Sequence, residues 1–125
     1  MSDDLVIRAD RVAAKAYAPY SHYNVGAVVR TTDGREFEGV NVENAAYPLG
    51  VCAEKSAIVS AVAAGYGPGD IAAIGINASP CGGCRQWLTE FRIPEVSFRR
   101  ADGSIVTYAA ADLLPDAWEM PAPDS

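Results

Sequence analysis

Basic charge is scarce in this chain. Ten lysines and arginines stand against sixteen acidic residues, a net charge of −6 over 125 residues. Affinity for nucleic acid rests largely on neutralising phosphates, so no nucleic-acid partner is expected, and Arg99-Arg100, the densest basic spot, reads as a solvated hairpin end. Long apolar runs are missing as well. Half of the residues are hydrophobic, yet no stretch approaches the ~18 that span a bilayer, so no membrane partner is expected either. The opening Met1-Ser2-Asp3-Asp4 is acidic where a secretory leader is basic. Internal repeats and low-complexity segments are absent. The length suits one domain, 1–125, large enough for a real core, with the tail after about residue 118 expected to be mobile.

Cysteine is scarce too, and its placement carries the chemistry. All three lie in two short segments, Val51-Cys52-Ala53-Glu54-Lys55 and Ser79-Pro80-Cys81-Gly82-Gly83-Cys84-Arg85-Gln86. Each segment reads as the first turn of a helix, where the dipole favours thiolate. Cys81 and Cys84, three apart, share a helix face. With Cys52 alongside they form three soft ligands of the kind that favours zinc, Zn2+, one per chain. A structural zinc is closed by four protein ligands and a catalytic one keeps a position for water. The fourth position here falls either to water or to His22. A Cys81–Cys84 disulfide is the alternative to a metal, disfavoured if the chain works in the reducing cytoplasm, the expected location. Glu54, two residues after Cys52, is placed to move the proton of a water activated by the metal; otherwise it is a first-turn acid facing the helix dipole.

The remaining chain reads as alternating helices and strands. Apolar residues at helical spacing predict an amphipathic helix over 3–17, ended by Pro19. Strands follow at 25–31 and 35–42, joined by Thr32-Asp33-Gly34, the first with apolar residues on both faces and so interior. Residues 41–50 form a polar loop, the kind of segment where binding residues concentrate. A helix over 52–64 is apolar almost all round and is expected to be buried. Further expectations are a central strand at 71–77, a second metal helix at 81–91 stopped by Pro94, strands at 95–99 and 104–108 around Asp102-Gly103, and a short helix at 110–114. This order implies a mixed sheet with helices on both sides.

Cys-x-Glu followed by Pro-Cys-x-x-Cys is a recognised pattern of the zinc deaminases, in its three-cysteine form. Pro19-Tyr20-Ser21-His22-Tyr23-Asn24-Val25-Gly26-Ala27, Gly39-Val40-Asn41-Val42-Glu43-Asn44-Ala45-Ala46-Tyr47 and Leu113-Leu114-Pro115 with Trp118 extend the likeness along nearly the whole chain. The sequence resembles the small homotetrameric cytidine deaminases that act on free nucleosides. The resemblance implies an α/β fold, an α/β/α sandwich with a five-stranded mixed sheet. It implies zinc-dependent hydrolytic deamination of cytidine and deoxycytidine with release of ammonia. Glu54 would be the proton carrier, Tyr23 would stack on the pyrimidine, and Asn41 and Glu43 would hold the ribose. Ala53 would line the substrate site, while Ala45, Tyr47 and Trp118 would reach a neighbouring subunit's site. Lys55 and Arg85 would offset the thiolate charge, Lys55 standing where the family usually has arginine. A deaminase specialised for a cytosine-containing antibiotic is the alternative. Two departures stand close to the metal helices: the stretch from Ile71 to Cys81 is short, and Pro48-Leu49-Gly50 replaces the family's Gly-Leu-Thr. They point to a site open on the amino-group side, one that admits cytidines substituted on the exocyclic amine.

Overall fold

The computed structural model of the chain describes residues 2–121. Its frame is a five-stranded mixed sheet in the order β2-β1-β3-β4-β5. The strands are β1 (Gly26–Thr31), β2 (Glu36–Val40), β3 (Ile71–Ile76), β4 (Glu95–Arg99) and β5 (Ile105–Tyr108). β1 is antiparallel to β2 and β3, β3 and β4 are parallel, and β5 returns antiparallel to β4. The parallel pair needs a crossover, and helix α3 (Gly82–Glu90) supplies it.

Strand alternation divides the core into two layers. Val28 and Ala73 turn to one face and meet Leu5, Ala9 and Val12 of α1 (Asp3–Val12). Ala27, Val29, Ile74 and Ile76 turn to the other and meet α2 (Ala53–Ala63) through Ala53, Ala57 and Ile58, and α3 through Leu88. Helices on both faces make the sheet the middle layer of an α/β/α sandwich, as the sequence implies. A short α4 (Ala110–Leu113) covers the same face as α2 and α3 through buried Ala110. Among the described residues no helix is long and apolar enough to cross a membrane.

Two glycines have physical work here. A Cβ on Gly39 would stand 2.2 Å from the Ala57 backbone nitrogen and 2.5 Å from the Ala53 carbonyl oxygen. The first two turns of α2 therefore lie directly on β2, and this contact fixes where the helix N-terminus falls. Gly34, at φ 93°, makes the left-handed turn that joins β1 to β2.

Three expectations need correction. The first helix does not reach residue 17: α1 ends at Val12, a 3-10 turn spans Ala13–Lys15, and Tyr17 is exposed, its backbone bridged to Val42. The Tyr17 N–H donates to the Asn41 carbonyl at 3.0 Å, so a sheet-like partner displaces helical continuation. The second strand stops at Val40 rather than 42, because Val42 turns to pair with Val51. Helix α2 is not buried all round, since Val59 and Val62 are exposed. The mobile tail expected after residue 118 lies in part outside the described residues.

Candidate metal centre and active site

The N-termini of α2 and α3 bring the three cysteines together. Cys52 is the N-cap of α2 and Cys81 the N-cap of α3, both in extended backbone, while Cys84 lies within the first turn of α3. Their carbonyls already accept the opening helical bonds, Ser56 N–H to Cys52 at 3.1 Å and Arg85 N–H to Cys81 at 3.0 Å. The Cys52 side chain makes no capping bond, while the Cys81 thiol lies against the Cys84 backbone N–H. All three are free, which removes the Cys81–Cys84 disulfide.

The three sulfur atoms lie within 4.8 Å of one another. Sulfurs each 2.3 Å from one tetrahedral ion sit about 3.8 Å apart, so the donor set fits a zinc ion with small rotamer adjustments. His22 does not belong to the cluster. It sits exposed in left-handed backbone, φ 59°. The described residues thus bring three ligand atoms together, and His22 is not among them.

Glu54 projects from the first turn of α2 and is only 4 % exposed. Burial pushes its carboxyl up from the ordinary range; its own backbone N–H, the Cys84 thiol and the Lys55 charge pull the other way without winning. Such a group holds a proton more readily than a surface carboxylate. Burial also raises the thiols of Cys52 and Cys84. Cys81 moves downward: partial burial opposes the shift, but the Cys84 backbone N–H and the two neighbouring thiols outweigh it.

A cleft of about 290 Å³ opens over this cluster. Cys52, Cys81, Ala53 and Glu54 form its floor, and Tyr23, Val25, Asn41 and Glu43 one wall, with Ala78 and Ser79 beside Cys81. Tyr23 is 63 % exposed and lines the cleft. Asn41 and Glu43 are largely spent on the wall itself. Asn41 Nδ2 donates to the Tyr23 carbonyl at 2.8 Å and Oδ1 accepts from Val25 N–H at 2.9 Å. Glu43 Oε1 accepts from the Tyr20 and Ser21 N–H groups at 3.0 and 3.1 Å, and Oε2 accepts from the Ser21 hydroxyl. These three bonds, led by the hydroxyl, hold the Glu43 carboxyl below its ordinary range. One Asn41 N–H and the remaining Glu43 lone pairs stay open to a ligand.

Arg85 and Lys55 are engaged elsewhere than at the sulfurs. Arg85 Nε donates to the Pro80 carbonyl at 2.9 Å, Nη1 to the Leu113 carbonyl at 3.2 Å and Nη2 to Ser79 Oγ at 3.3 Å. It clamps the segment that carries Cys81 onto α4. Lys55 Nζ lies 5.9 Å from the centre of the Trp87 ring. The helix N-termini thus stand nearest to offset the thiolate charge. Ala45, Tyr47 and Trp118 are exposed and line no part of this cleft. Tyr47 packs edge-on to Tyr20, and the Trp118 carbonyl accepts from Gln86 Nε2 at 3.3 Å.

Residues 2–100 match the family model described as the cytidine and deoxycytidylate deaminase zinc-binding region. The chain belongs to that family. It is 40 % identical over 118 residues to a cytidine deaminase of Mycobacterium tuberculosis, covering 90 % of this chain and 85 % of the relative. A cytidine deaminase of Sporosarcina psychrophila is 35 % identical over 123 residues, 93 % of this chain and 90 % of the relative. The crystal structure of a cytidine deaminase from Burkholderia pseudomallei superposes with a TM-score of 0.87 at 45 % identity, over 94 % of this chain and 99 % of that one. This zinc-binding family and the three-thiol cluster converge on one metal ion per chain.

One residue escaped the sequence reading altogether. Asn77 sits between β3 and the segment leading to Cys81, with its side-chain amide turned back on β1. A polar residue closing an apolar strand was the only available signal.

Proposed function

We propose that this chain is a hydrolytic deaminase of cytidine and deoxycytidine that holds zinc on Cys52, Cys81 and Cys84. The observation that carries the reading is a buried Glu54 on the floor of one cleft with the thiol cluster, with the exposed Tyr23 lining the same cleft. Zinc in that cluster supplies the charge that makes water acidic near neutral pH. Tyr23 stacks on the pyrimidine, and the open Asn41 N–H and Glu43 lone pairs take ribose hydroxyls. Glu54 accepts a proton from the attacking water and delivers it to ring nitrogen 3. It then carries the second proton to the amino group, which leaves carbon 4 as ammonia, giving uridine. A carboxyl that both accepts and donates needs a pKa raised towards neutrality, and burial supplies that.

Ala45, Tyr47 and Trp118 serve a neighbouring subunit in a homotetramer; their exposure outside the chain's own cleft supports this, and solution mass tests it. The reducing cytoplasm suits three thiol ligands. Small Ala78 and Ser79 beside Cys81 leave room for a substituted exocyclic amine, which turnover of N4-methylcytidine tests. No observation favours the antibiotic alternative. The deciding experiment follows cytidine absorbance with zinc-loaded wild type and Glu54→Gln. Wild type converts cytidine to uridine, and the variant, with equal zinc, is slower by about 10²–10⁴-fold. Equal rates would remove Glu54 from the mechanism.

A further inference from the structure

Residues 23–25 connect an exposed loop to β1 and belong to no strand. Two asparagine side chains grip this link. From the β2 side Asn41 bonds the Tyr23 carbonyl and the Val25 N–H. From the β3 side Asn77 Oδ1 accepts from Gly26 N–H at 3.0 Å, and Nδ2 donates to the Asn24 carbonyl at 3.4 Å. The Asn77 backbone N–H adds a bond to the Gly26 carbonyl at 3.3 Å. A side-chain amide offers an acceptor and a donor as a peptide does. The two asparagines therefore continue the β1 ladder past the ends of β2 and β3, serving alternate residues from opposite sides.

The placement matters because Tyr23 and Val25 line the cleft while Asn77 does not. Asn77 is also followed directly by Ala78 and Ser79, which line the cleft beside Cys81. It thus ties the wall that faces the pyrimidine to the segment that carries a metal ligand.

We propose that Asn77 is a positioning residue for substrate, holding Tyr23 and Val25 at a set distance from the Cys81 segment. The proposal rests on the reading that cytidine binds in this cleft. A purely structural asparagine would lower stability and leave the Michaelis constant alone. Asn77 acts on binding, through Tyr23 and Val25.

The test compares zinc-loaded full-length wild type, Asn77→Ala and Asn77→Asp. Without nucleoside, the Gly26 amide exchanges hydrogen faster in Asn77→Ala. KM for cytidine rises about five- to tenfold, the scale of one or two neutral hydrogen bonds, with kcat and zinc content unchanged. Asn77→Asp keeps the acceptor for Gly26 but loses the donor to Asn24, so it recovers part of the binding and stands in if the alanine variant folds poorly. In a Tyr23→Ala background, Asn77→Ala raises KM by clearly less than in wild type, because the two residues act in series. Unchanged KM overturns the proposal, whether or not Gly26 exchange changes. So does a fall in kcat and zinc content at constant KM. If wild type leaves cytidine untouched, the functional reading fails and the positioning role falls with it, while Gly26 exchange still shows whether Asn77 holds the link.

Discussion

The floor of the cleft and its wall are built by different means. The floor is regular structure: Cys52 and Cys81 cap helices, Cys84 and Glu54 are buried, and Gly39 seats α2 against β2. The wall is irregular backbone held by side chains, with Glu43 gripping residues 20 and 21 and with Asn41 and Asn77 gripping residues 23–26. Backbone bonds and core packing hold a group to within a fraction of an ångström, which metal ligation and proton transfer require. Side-chain clamps in an exposed segment are individually weak and leave room for a ligand to enter. On the proposed function, the chemistry falls to rigid elements and recognition to adaptable ones.

If that division is right, damage to the floor abolishes turnover and damage to the wall weakens binding. The largest effect belongs to the metal. Stripping zinc with a chelator eliminates cytidine turnover and lowers the thermal midpoint, since an ion held by the folded cluster stabilises it; added zinc restores both. A metal-free protein of full activity would break the comparison at its root.

Arg85 probes the join between the two regions. It bonds the Pro80 and Leu113 carbonyls but, in the geometry described, no sulfur. Arg85→Ala frees the segment carrying Cys81, and zinc affinity, measured by competition with a chelator, falls by about 10–100-fold. Arg85→Lys recovers little, because an ammonium cannot span two carbonyls as the guanidinium fork does. Wild-type zinc affinity in both variants would show the floor to be independent of this clamp.

The smallest effect is at Glu43. Its carboxyl is held below the ordinary range by the Ser21 hydroxyl and the Ser21 and Tyr20 N–H groups. A carboxyl with a lowered folded pKa stabilises above its unfolded pKa, and that contribution is lost as pH falls through the folded value. Glu43→Gln should therefore melt below wild type at neutral pH, and the gap should close as pH drops through and below about 4. Taking the difference between the two proteins removes the loss of metal in acid that both share. In the same variant KM for cytidine rises a few-fold while zinc stays bound. A gap independent of pH would mean that the grip does not depend on the charge of Glu43.

Much of this molecule was legible before its structure. Apolar periodicity located α1, the cysteine segments with their apolar followers located α2 and α3, and Thr32-Asp33-Gly34 and Asp102-Gly103 located both hairpins, because these signals depend on neighbours a few residues away. Where the reading failed, a distant partner intervened. Tyr17 left the helix because Asn41 and Glu43 offered it backbone bonds at 3.0 and 2.8 Å. Asn41 and Glu43 were expected at the ribose, and the bonds their side chains make hold residues 20–25 of the wall. Beyond the charge expected of it, Arg85 bonds carbonyls and a serine hydroxyl, partners the sequence did not indicate.

The sequence by itself determined the donor set, the acid beside it and the class of fold, since residue type and short spacing carry ligand chemistry and secondary-structure preference. Only the tertiary structure decided that Cys52 meets Cys81 and Cys84, that Glu54 is buried beside them, and that asparagine amides complete a strand. Each of these depends on contacts between residues far apart in the chain, and the energy of such a contact belongs to the pair and its burial rather than to either residue alone.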